Sequence, residues 1–200
     1  MRLVFITGVS EFSRVSIFSE LNNLEDLTMS ETYADMLGYT QEELEIYFQP
    51  HIKRLAEKFG TSETEIIEKL KLYYNGYRFS QRDIRVYNPF SVLSSLRQKD
   101  FRNYWFETGT PTFLVNLLNE SKLYLPTIEN LQATEAVFST YELENLRPEA
   151  LLFQTGYLTI KDISDRLYTF DYPNQEVKTS FPEILFHSCT KGLRDGSRFV

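Results

Sequence analysis

At 200 residues, with 42% hydrophobic and 24% charged positions, 16 Phe and 13 Tyr, the chain is long enough for one substantial domain or two small ones and too aromatic to remain unfolded. Its formal net charge of −7 weighs against a broad nucleic-acid footprint, although a local basic patch could survive that balance. The single Cys189 excludes an internal disulfide, and two histidines leave no Cys/His cluster from which to argue a metal site.

The opening MRLVFITGVS is too short for a signal-peptide core or a membrane span, which points to a cytoplasmic chain with no membrane partner. Within it, Leu3 to Ile6 is a continuous apolar run closed by Thr7 and Gly8. That is the pattern of a strand buried on both faces. No similar run occurs in the next hundred residues, so this strand begins the chain without its sheet.

Helical signals come next. Ser30 is placed to cap a short helix through Leu37, stopped by Gly38. Thr40 and Glu43 form a capping-box pattern before Leu44, Tyr47 and Phe48, and Pro50 is expected to break that run ahead of a further helix ending at Gly60. Ser62 and Glu65 repeat the box before Ile66, Leu70 and Tyr73, with Gly76 as the expected C-cap. Residues 77 to 86 suggest a small hairpin or irregular loop. Asn88 and Pro89 then open a helix through about Leu96, as N-cap and first helical residue. Thr110 and Pro111 repeat that device, with Phe113, Leu114, Leu117 and Leu118 as the apolar face.

Residues 123 to 147 read as a connector with one edge strand near Ala136 to Phe138. Pro148 to Gln154 is a predicted helix ended by Gly156. Tyr157 to Ile160 and Arg166 to Phe170 are predicted strands joined by Lys161 to Asp165. A helix running into a hairpin suggests a winged-helix-like element. Val177 to Phe181 leads into a last predicted helix from Pro182 to Lys191.

Chemistry is sparse in these patterns. Thr7 to Ser10 forms a polar turn after a buried strand, a position that faces ligands in α/β sheets, but the simpler reading is that Thr7 and Gly8 turn the chain and Ser10 caps the next segment. Arg14, just beyond, could reach an anion. There is no G-x-x-x-x-G-K-[ST] loop and no G-x-G-x-x-G. Glu176-Val177-Lys178 is the nearest imitation of a PD-(D/E)XK nuclease motif, without a partner acid on a credible preceding strand. His187 and Cys189, two apart on a predicted helix, do not face the same side. The acids of 42 to 68 read as solvated helix faces, His51 as a surface residue, and the aromatics of 75 to 77 and 103 to 106 as packing rather than ligand stacking.

Several strings taken together carry a resemblance: FITGVSEFSRVSIFSELNNLEDLT (5 to 28), LGYTQEELEIYF (37 to 48), YYNGYRFS (73 to 80), VYNPFSVLSSL (86 to 96), NYWFETGTPTFLVNLL (103 to 118), LLFQTGYLTIK (151 to 161) and YPNQEVKTSF (172 to 181). In this order they resemble the AAA-ATPase-like family of gut and other anaerobic bacteria, whose members commonly carry a C-terminal PD-(D/E)XK nuclease-like domain. The resemblance covers nearly the whole chain but not the family's phosphate loop, Walker B strand or nuclease-like part, so the chain resembles the middle of a longer protein.

The resemblance implies a mainly α fold with a small β component. Residues 1–27 would be a remnant of the ATPase-like core, with its strand orphaned from a P-loop ATPase-type sheet. Residues 28–122 would be a helical lid-like domain, 123–147 a connector, and 148–200 a winged-helix-like element with a C-terminal helix. It places Thr7 at a sensor-like position, Arg14 as a weaker anion contact and Thr110 at a G-x-P helix entrance near nucleotide, all only in a full-length context. No cofactor is expected for this chain; ATP and Mg²⁺ belong to an intact family member. The expected role is a noncatalytic regulatory or interaction module, which packs against missing domains or itself through exposed aromatics. The alternatives are part of an ATP-dependent enzyme completed by another chain or by missing residues, and weak DNA binding through Lys161, Arg166 and Lys178.

Overall fold

The computed structural model describes residue 25 and residues 27–105, 128–134 and 148–183. These form a mainly helical fold with a small three-stranded antiparallel sheet. The expected strand at 3 to 6, the helix after Thr110, the edge strand at 136 to 138 and residues His187 and Cys189 lie outside the described residues.

The Ser30 side chain makes no cap hydrogen bond, and the segment after it is a single 3-10 turn, Glu31–Tyr33, rather than the expected helix through Leu37. Gly38 stops it for a packing reason: a Cβ there would lie 2.5 Å from Val86 Cγ2 and 2.6 Å from the Tyr87 carbonyl. Only glycine lets the chain pass that close and pair Tyr39 with Tyr87.

Helix α1, Gln41–Phe59, begins at Thr40, which accepts from the Glu43 N–H while the Glu43 carboxylate accepts from the Thr40 N–H at 2.9 Å. The expected break at Pro50 does not occur, and the helix runs through it. Proline here withholds one N–H from the Ile46 carbonyl, but Ile46 is 61% exposed and Pro50 faces solvent, so water can satisfy that oxygen. The opposite face carries Leu44, Ile52, Leu55 and Ala56 at helical spacing, all buried, and this continuous stripe holds the two halves in one axis.

Gly60, at φ 64, closes α1. Ser62 and Glu65 then form the second capping box, at the start of α2, Glu63–Tyr74. Helix α3, Pro89–Gln98, starts at Asn88, whose side-chain oxygen accepts from the Phe90 and Ser91 N–H groups. The three helices enclose one apolar cluster, with Leu44, Leu55, Leu70, Tyr74 and Val92 at its centre. Within the loop between α2 and α3 Tyr77 pairs with Val86, while Ser80 and Tyr87 pair with Met29 and Tyr39; the loop is filled by the Arg78 side chain, which donates to the carbonyls of Ser80, Gln81 and Arg82.

The second cluster gathers around the sheet. Strand β1, Leu131–Thr134, pairs with β3, Leu167–Asp171, which pairs on its other side with β2, Thr159–Ser164, giving the order β1-β3-β2. The β2–β3 turn is shorter than expected. It consists of Asp165 and Arg166 alone, both at positive φ, the two-residue geometry whose twist matches a hairpin. Tyr168 and Phe170 alternate inward from β3 against helix α4, Pro148–Gln154, whose Ala150, Leu151, Leu152 and Phe153 are all buried.

The last helix among the described residues, α5, is helical from 175 through 183, so it starts well before the expected Pro182. Asn174 is its N-cap: its side-chain oxygen accepts from the Val177 N–H at 3.1 Å.

Candidate functional site

The strings around Asn75-Gly76-Tyr77, Asn88-Pro89 and Pro173-Asn174-Gln175-Glu176 are far apart in sequence. The fold brings them to one buried polar junction between the two apolar clusters. Each arrives for a local reason. Asn75 ends α2, its N–H donating to the Lys71 carbonyl, and Gly76 comes next at φ 115, a value that suits glycine. The C-cap is thus Asn75 rather than the expected Gly76. The Asn88 N–H donates to the Tyr74 carbonyl at 2.9 Å, tying the start of α3 to the end of α2. Pro173 and Asn174 launch α5, and the Pro173 carbonyl lies against Gly76 so closely that a Cβ on Gly76 would stand 2.0 Å from it.

Glu176 is the centre of the junction and is fully buried. One carboxylate oxygen accepts from the Ser91 hydroxyl of α3 at 2.7 Å, and the other accepts from the Trp105 backbone N–H at 2.8 Å. The carboxylate also sits in the first turn of α5, where the helix dipole favours negative charge. Hydrogen bonds to a carboxylate are among the stronger ones a protein makes, so this group binds three elements together.

Aromatic residues surround it. The Trp105 ring lies 5.1 Å from Tyr157 and packs on Gly156, and Tyr157 lies 4.6 Å from Phe181 of α5. The Tyr74 hydroxyl donates to the Arg102 carbonyl and accepts from its N–H. Burial pushes the Tyr74 and Tyr77 hydroxyls well above the ordinary tyrosine range, and Glu176 adds to the effect. Tyr77 Oη and Asn174 Nδ2 are both buried without a hydrogen-bond partner. Asn88 and Asn174 stand near enough to the Tyr77 hydroxyl to moderate that push without meeting it in bonding geometry.

With Ser91 and Glu176 both closed off from solvent, the junction joins chain to chain. Glu176 and Lys178 are helical, so the resemblance to a nuclease strand motif ends at the letters. Lys178 points to the surface and pairs with Glu129 at 2.9 Å, which raises its ammonium pKa. Among the described residues no group of three or more His, Cys, Asp or Glu is placed to hold a metal ion. No helix among them is long and apolar enough to cross a membrane.

Thr7, Arg14 and Thr110, the residues singled out near nucleotide, lie outside the described residues. Of the three candidate DNA contacts, Lys161 and Arg166 share the β2–β3 hairpin with Asp162 and Asp165, so the hairpin carries balanced charge, and Lys178 of α5 is paired with Glu129. His51 is exposed on α1. Sequence reasoning missed Glu176 as a buried anchor. Its signal was the Pro173-Asn174 start of a helix, matched by Ser91, Ser94 and Ser95, three serines on the buried face of α3.

A protein of Azotobacter chroococcum mcd 1, described as "Uncharacterized protein in vnfD 5'region", is 40% identical to this chain over 189 residues. The match takes in 92% of this chain and 34% of that protein, so the chain spans about a third of the length of the curated relative it matches. No family model matches the chain, and no solved structure does.

Proposed function

We propose that the chain is the lid-like and winged-helix-like portion of an AAA-ATPase-like protein, acting as a regulatory or interaction module. The observation that carries this reading is the junction: three of the strings on which the resemblance rests, YYNGYRFS, VYNPFSVLSSL and YPNQEVKTSF, meet there through two contacts, Gly76 against the Pro173 carbonyl and Ser91 with Glu176. Strings that resemble a family and also depend on one another in space behave as parts of one inherited unit.

The order of elements adds support. A capped three-helix unit is followed by a short buried helix that runs directly into a two-stranded wing, and an earlier strand completes the sheet on the other side of β3. In this reading the remainder of a longer protein, such as the relative from Azotobacter, carries the phosphate loop. DNA binding is the weaker alternative because of the balanced charge on the wing.

The test uses both proteins. Calorimetry with Mg·ATP on the present chain is expected to show no binding. The full-length relative is expected to hydrolyse ATP, and deletion of its matching segment should change the rate. A full-length relative that binds no nucleotide would sink the ATPase-like reading, and salt-sensitive DNA binding by the present chain would replace the interaction role with the DNA-binding one.

A further inference from the structure

We infer that the outer face of α3, with the loop that runs beside its start, is a self-association surface on which a second copy of this chain docks across a two-fold axis. The surface is made by this chain's own residues and owes nothing to the ATPase-like reading.

The fold assembles the surface from two segments distant in sequence. Helix α3 buries Val92 and Leu96 in the helical cluster and turns Ser91, Ser94 and Ser95 inward as well, which leaves Phe90, Leu93 and Arg97 on the remaining face. At helical spacing these three fall within about 60° of one another. The loop before α1 comes to the same end of α3. Gly38 lies against Val86 and the Tyr87 carbonyl, and Tyr39 pairs with Tyr87, three residues ahead of Phe90. Met36 and Leu37 immediately precede that close approach, so they share the neighbourhood of the α3 start. Met36, Leu37, Phe90 and Leu93 are each between 44% and 54% exposed. Single apolar side chains scattered over a surface need no explanation, whereas a gathered set marks an interaction site.

Charge selects the occupant. Arg97 stands one turn beyond Leu93 at the far end of the helical face, and Asp35 stands beside Met36 at the other end. Both are exposed, and among the described residues neither is held in a salt bridge. A surface with an apolar middle, an acid at one end and a base at the other is complementary to itself after a two-fold rotation. The rotation sets the two α3 helices antiparallel, lays apolar middle on apolar middle, and brings each Arg97 to the Asp35 of the other copy. A partner of uniform charge would leave one of the two ends facing its own sign.

Sedimentation velocity on this chain, over concentrations bracketing about 10 μM, should show a monomer–dimer equilibrium of the modest strength such a surface supports. Leu93→Asp puts a carboxylate in the apolar middle and should weaken the dimer on the order of tenfold or more, with helical circular dichroism unchanged because Leu93 is outside the core. Phe90→Ser should act in the same direction and carries the test if the first variant misfolds. Arg97→Glu and Asp35→Arg should each weaken the dimer about fivefold by setting like charges face to face, and the two together should restore it. A chain that stays monomeric throughout overturns the proposal, even one that binds an unrelated protein. So does a dimer that Leu93→Asp and Phe90→Ser leave intact, or one that the paired charge exchange fails to restore.

Discussion

Two glycines show how differently one residue type can be fixed. Gly60 sits at φ 64 after α1, and a Cβ there would meet nothing within 4 Å. Gly76 sits at φ 115, and a Cβ there would stand 2.0 Å from a backbone oxygen that cannot swing away as a side chain can. Gly60→Ala therefore carries only the penalty of a left-handed residue and is expected to cost about 1 kcal/mol. Gly76→Ala adds a backbone collision in the junction, and on the order of 3 kcal/mol is expected. Urea denaturation midpoints of the two variants measure the difference. Equal losses would mean that the Pro173 contact yields easily and that the junction is loosely fitted.

At the scale of elements, the instructive position is Pro50. It occupies an exposed place inside α1, where alanine would restore an N–H for the Ile46 carbonyl and remove the ring's clash with the preceding turn. Pro50→Ala is expected to stabilise the chain by about 2 kcal/mol, read as a rise in the thermal midpoint with unchanged helical circular dichroism. A fall would show that a proline-induced bend is needed to fit α1 against α2.

The same position shows what sequence could and could not reveal. The capping boxes at Thr40 and Ser62 and the Asn88-Pro89 start were legible because each is complete within four residues. The passage of α1 through Pro50 was not, because it depends on Leu44 and Ile52 sharing one buried stripe that packs on α2. Ser30 failed as a cap because local pattern alone does not secure a helix without an apolar face to bury. Asp165-Arg166 lacks the glycine that usually marks a tight hairpin turn, so its place was misjudged by several residues. The junction was the least legible feature. Gly76, Ser91, Trp105 and Glu176 carry no common motif, and only the tertiary fold makes them neighbours.

At the scale of the whole molecule, the aromatic interior sets the response to alkali. Tyr74, Tyr77 and Tyr87 are buried, and loss of hydration pushes each hydroxyl well above the ordinary 10.0. Tyr172 is pushed up to about 12, mainly by burial, with Glu129 and Asp171 adding repulsion. A tyrosine whose folded pKa is raised keeps its proton in the native state at a pH where the unfolded chain has lost it. Between those two values the native state binds more protons, so raising the pH favours unfolding. This contribution to stability is complete below about pH 10 and is lost progressively above it, through about pH 12 for Tyr172. Because the four residues lie in or between both apolar clusters, their losses add within one structure. Denaturant titrations at stepped pH should therefore give a nearly level stability up to about pH 9 from this source and a steep fall above about pH 10. Tyrosinate absorbance from the buried set should rise only together with the loss of circular dichroism. If all the tyrosines titrated in a single stage near their ordinary value with helix content intact, the hydroxyls would have to be hydrated in the native state, and the closed aromatic interior would be wrong.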